Sequence, residues 1–90
     1  MKKALSYLIN KLYKEELETL YGNGTSVEIN DIIYSTNKHI HVISCRLHIG
    51  DVKLYEEVWE SGLNFILEEC WKYMGYHNKK FLLNITFELT

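Results

Sequence analysis

Apolar residues recur three or four positions apart over residues 3–21. Leu5, Leu8, Ile9, Leu12, Tyr13, Leu17 and Leu20 form one broad face, which predicts an amphipathic helix. Gly22-Asn23-Gly24 ends it, because glycine and asparagine accept the left-handed cap conformation. The period then changes to two. Residues 26–35 and 39–49 are rich in β-branched side chains and read as two strands. The short polar link Thr36-Asn37-Lys38 makes a hairpin their natural pairing. In the second strand Ile43, Cys45, Leu47 and Ile49 share a face opposite Ser44, Arg46 and His48. In the first, Val27, Ile29 and Ile33 alternate in phase, but Asp31 interrupts the row and Ile32 faces away. A bulge near Asn30-Asp31 accounts for the break.

Helical period returns over residues 52–74. Tyr55, Trp59, Gly62, Ile66, Cys70 and Tyr73 fall within about 80° of arc. Val58 and Phe65 flank them on one side. Leu63, Leu67 and Met74 flank them on the other, with Trp71 further round. Gly62 on the apolar face implies close approach to the sheet, and Gly75 ends the helix. Asp51 reads as the N-cap; the alternative makes Gly50-Asp51 a hairpin turn into a short strand over residues 52–55. Residues 81–89 alternate regularly, with Phe81, Leu83, Ile85, Phe87 and Leu89 facing away from Leu82, Asn84, Thr86 and Glu88. The order is α-β-β-α-β. The wet face of the last strand predicts one α+β domain over residues 1–90: a three-stranded antiparallel sheet, order 2-1-3, covered on one face by two helices.

The charges of the first helix oppose its dipole. Lys2 and Lys3 sit near the N-terminus and Glu15, Glu16 and Glu18 near the C-terminus, each costing ~0.3–1 kcal/mol if exposed. Glu16 also falls within the apolar arc. Either this is a solvated helix end held by packing, or Glu16 meets a cation from elsewhere in the fold or from a partner.

Composition narrows the function. A chain of 90 residues buries only roughly 60–65% of its unfolded surface, so a partner that adds burial matters. Net charge is −2 and Arg46 is the one arginine, so neither nucleic acid nor an anionic membrane is an expected partner. The Lys, Asn, Ile and Tyr excess points to an AT-rich genome. Cys45 and Cys70 form no CxxC and read as reduced, buried residues of an intracellular, cytoplasmic protein. The opening Met1-Lys2-Lys3 imitates a signal sequence, but Ser6, Tyr7, Asn10 and Lys11 break its apolar run. No stretch has the length of a transmembrane helix.

His39-x-His41, with Cys45 at the same parity, is the only ligand-like constellation. Residues two apart on a strand point the same way, so the three are the candidate metal ligands of a metal-binding or hydrolytic domain. A structural zinc site wants four ligands in recognisable pairs, and no cofactor is expected. Nucleophilic catalysis lacks a GxSxG motif or a cysteine at a helix start, which weighs against an enzyme. A single-stranded RNA-binding module would need exposed aromatics among basic residues on the open sheet, where Tyr34 and Arg46 stand beside Glu28 and Glu88.

The apolar excess is the informative part. The arc of the second helix exceeds ~180°, where a stripe of ~100° faces a core. The outer sheet face adds Ile32, Tyr34, Ile40, Val42 and Leu82. Such surface in a small chain marks protein–protein association, as a homo-oligomer or a subunit of a larger assembly such as a phage or viral particle. Leu67, Trp71 and Met74 are the candidate contacts of one patch, and Tyr34, Ile40, Val42 and Leu82 of another. The last strand, if an edge, has few charges to stop another chain from extending it.

Overall fold

A computed structural model describes residues 1–50, 60–76 and 80–89. Its elements are α1 (Lys2–Leu12), α2 (Lys14–Tyr21), β1 (Ser26–Ser35), β2 (Ile40–Ile49), α3 (Glu60–Tyr73) and β3 (Phe81–Leu89). The choice between cap and strand at residues 51–55, and the expected helix positions Tyr55, Val58 and Trp59, lie outside the described residues.

The fold is α+β, with a mixed sheet of order β1-β2-β3. β1 and β2 pair antiparallel and β2 and β3 pair parallel. This corrects the expected antiparallel sheet of order 2-1-3. Parallel neighbours need a crossover of a dozen or more residues, usually helical. The chain between Ile49 and Phe81, which carries α3, supplies one. The alternation of β3 reports one open face whichever way the strand runs.

The long first helix is two. Tyr13, at φ −120° and ψ 25°, separates α1 from α2. At ~100° per residue a straight helix would set Leu5 and Tyr21 roughly 160° apart. The break lets Leu5 and Ile9 of α1 bury together with Leu17 and Tyr21 of α2. It also relieves part of the misplaced charge. Glu15 and Glu16 stand in the first turn of α2, where the dipole favours them, and Lys11 in the last turn of α1. The Glu18 carboxylate accepts the N–H of Gly24 at 2.9 Å, beyond the helix end.

The expected bulge is present, with Asn30 as the extra residue between the pairs Ile29↔Cys45 and Asp31↔Ser44. It reverses which residues face the helices. Val27 and Ile29 are buried before it; Ile32 packs on the core after it, and Ile33 turns out, 57% exposed. Ile32 and Tyr34 therefore lie on the helix side, not on the outer face as expected. On β2, Ile43, Cys45, Leu47 and Ile49 are buried as their parity requires.

α3 is turned from the face predicted for it. Leu63, Ile66, Leu67, Cys70 and Trp71 are buried, while Phe65 and Tyr73 are 60% and 73% exposed. Gly62 meets α2, not the sheet: a Cβ there would lie 2.9 Å from Leu20 Cδ1. The wide apolar arc is thus shared between the sheet and the first two helices. Its C-terminus closes through Gly75 at φ 99°, whose N–H donates to Lys72 O at 2.9 Å. The N–H of Tyr76 donates to Trp71 O at 3.2 Å, and the two rings stack at 4.3 Å. That pair of bonds with an apolar contact across it is the Schellman motif.

Candidate association surfaces

The two edges of the sheet differ. Along β1, α1 supplies a polar stripe at every fourth residue. The Asn10 carboxamide donates to Val27 O at 2.7 Å and accepts the Val27 N–H at 2.9 Å. Ser6 Oγ accepts the Ile29 N–H at 2.9 Å, and Lys2 Nζ donates to Asn30 O at 3.4 Å. Asn10 thereby does what a neighbouring strand would do for Val27. The sequence reading missed Lys2, Ser6 and Asn10. Their signal was the spacing i, i+4, i+8, which sets them on one line of the helix. Two neutral hydrogen bonds contribute about 1–3 kcal/mol together. Asn10→Leu is therefore expected to lower the free energy of unfolding by that amount in urea titration. Asn10→Asp, which keeps the acceptor and loses the donor, should fall between.

Among the described residues β3 forms the other edge. It pairs with β2 over nine successive residues without a register shift, and Glu88 is its one charged residue. Phe81, Leu83, Ile85 and Phe87 are only partly buried against the core.

The outer face of the sheet is ordered in rows across the strands. Ile33, Val42 and Leu82 make an apolar row, with Leu82 46% exposed and Ile40 next along β2. Asp31, Ser44 and Asn84 make the next. Further on, Arg46 lies between Glu28 (Nη1–Oε1 3.8 Å) and Glu88 (Nε–Oε2 3.7 Å), and His48 Nδ1 approaches Glu88 Oε2 at 3.3 Å. These exposed pairs contribute little each. Among the described residues this face carries no phenylalanine, tyrosine or tryptophan, so stacking of bases gains no platform here.

Of the expected contact residues, Ile40, Val42 and Leu82 are together on the outer face. Tyr34 is on the opposite face, its ring edge-on to His41 at 4.9 Å. Leu67 and Trp71 are core residues, 0% and 1% exposed, and Met74 is partly buried against them. They form no surface patch, because the helix packs that side inward. A groove of about 530 Å³ between α2 and α3 is lined by Tyr13, Glu16, Leu20 and Phe65, among others, and places Glu16 at the surface.

The metal candidates are separated in kind. His39 precedes β2 with φ 54°, so the strand spacing that would align it with His41 does not hold. The His41 ring lies 5.3 Å from Trp71 and 5.9 Å from Tyr76 in an aromatic cluster. Among the described residues no group of three or more His, Cys, Asp or Glu side chains could hold a metal ion. Cys45 and Cys70 are free and buried. Burial pushes the Cys45 thiol up to about 12 and, with Glu69 adding to it, the Cys70 thiol up to about 11, from an ordinary 9.0. Both thiols stay protonated where unfolded ones ionise. Below pH 9 the two states bind equal thiol protons; above it the unfolded chain sheds them first and the fold loses stability. Urea midpoints should accordingly fall as pH rises from 9 towards 11. At neutral pH neither thiol should react with a disulfide reagent until the chain unfolds.

No family model matches the chain, and neither a curated protein nor a solved structure matches it. Among the described residues no helix is long and apolar enough to cross a membrane.

Proposed function

We propose that this chain works without catalysis, by protein–protein association, as a homo-oligomer or as a subunit of a larger assembly such as a viral or phage particle. The observation that supports this is the inequality of the two sheet edges. One is capped over residues 27–30 by three helix side chains, and the other is long, regular and nearly uncharged. Proteins that stay apart blunt such an edge with lysine, proline or a bulge. The apolar row Ile33–Val42–Leu82 adjoins β3 and extends the surface on offer. Light scattering across a dilution series tests the reading. A defined oligomer that dissociates at low concentration is expected. A monomer at every concentration would overturn self-association.

A further inference from the structure

We infer that two copies of this chain exchange α1: in the pair the helix runs unbroken through Tyr13, and the α1 of each copy lies on β1 of the other. The inference rests on the association proposed above and adds the partner and the segment exchanged.

The joint between α1 and α2 is one residue, Tyr13. Sharp bends in helices have identifiable causes: a proline, a glycine, or a side chain inserted into the ladder. Residues 10–16 (NKLYKEE) hold no proline or glycine, and the Leu, Lys and Glu among them are strong helix formers. The bend is therefore imposed by packing, since Leu5 and Ile9 share one core with Leu17 and Tyr21. It interrupts the backbone ladder. Tyr13 N–H donates to Ile9 O at 3.0 Å and Leu17 N–H to Tyr13 O at 2.9 Å. Among the described residues the three bonds between these, from the N–H groups of Lys14, Glu15 and Glu16 to the carbonyls of Asn10, Lys11 and Leu12, are not made. A straight helix makes all three.

A straight helix also points Leu5 and Ile9 roughly 120° away from Leu17 and Tyr21. One core cannot meet both faces, but two bodies can. In the exchanged pair the bonds that hold α1 on β1 persist between chains, from Asn10 to the partner's Val27 and from the partner's Ile29 to Ser6. The burial of Leu5 and Ile9 persists with them. An element whose contacts are all reproduced on a second copy is exchanged at low cost, and a joint this short favours the exchange. The end of each α1 still meets the start of an α2, now the partner's, so the two helices cross at Tyr13. The crossing covers Leu12, which is 48% exposed in the single copy. It also brings the exposed Lys11 beside the partner's Glu15.

Isotope-edited NMR reads which chain α1 serves. One copy is labelled with 15N and the other with 13C, and the two are unfolded and refolded together. A nuclear Overhauser contact between protons on the Asn10 side-chain nitrogen and protons on Val27 carbons then arises only between chains, and it is expected. Inserting Gly-Gly between Tyr13 and Lys14 lets α1 fold back onto its own β1. That insertion should raise the dimer dissociation constant by about tenfold or more. A dimer in which Asn10 meets Val27 only within its own chain overturns the exchange and leaves the association reading standing. So does a dimer whose dissociation constant ignores the insertion. A monomer at every concentration overturns both.

Discussion

Gly50→Ala will leave little folded protein. A Cβ at Gly50 would overlap the carbonyl oxygen of Asn23 and lie 2.7 Å from its carbon and 3.0 Å from Gly22 O. These are backbone atoms of the turn after α2, and they cannot rotate aside. Thr25 ties the place together. Its buried hydroxyl donates to Gly22 O at 2.6 Å and accepts the Gly50 N–H at 3.0 Å. Moving either segment breaks this bridge between the end of β2 and the start of β1. The expected loss is on the order of 4 kcal/mol or more, a large part of what holds a small domain folded. Gly24→Ala is the control. It has φ 85° but open space around it, so it should cost only about 1–2 kcal/mol of left-handed strain. Urea unfolding of the two variants separates collision from strain.

Trp71→Ala is the second large effect. The indole is 1% exposed, stacks on Tyr76 at 4.3 Å, and meets Phe81 edge-on at 6.0 Å and His41 at 5.3 Å. It joins the end of α3 to the start of both parallel strands. Truncating a buried Trp costs about 3–5 kcal/mol through lost burial and the cavity left behind. In a chain of this size that lowers Tm by on the order of 20 °C, visible in thermal unfolding followed by circular dichroism. The loss will be the same at every protein concentration if Trp71 acts only within the monomer. Trp71→Glu would unfold the chain and so cannot report on an interface.

Period two made the sheet readable. Each residue of a strand declares its face, so the buried row on β2 and the bulge at Asn30 were legible from Ile43 to Ile49 and from the interruption at Asp31. What followed the bulge was not carried through: Ile32 and Tyr34 were placed as if the phase had not changed. Strand direction left no mark, because β3 alternates identically beside β2 in either sense. The split at Tyr13 has no glycine or proline to announce it. Its trace was electrostatic, in the run Glu15-Glu16-Glu18, which suits the start of a helix better than its end. The face of α3 was ambiguous because an apolar arc that wide fits two packing surfaces, and the count of apolar residues cannot apportion them. Of the candidate association surface, Ile40, Val42 and Leu82 were legible by parity. The closure of β1 was not, since Asn10 looks like any polar residue on a helix.

That closure limits the ways in which copies of the chain could join. A subunit with two open edges is a link, and links join into fibres without limit; a subunit with one is an end. The Asn10 carboxamide, by standing in for a strand that never comes, denies Val27 to any added chain. Removing it while α1 loosens from β1 would bare the start of that strand to a further copy.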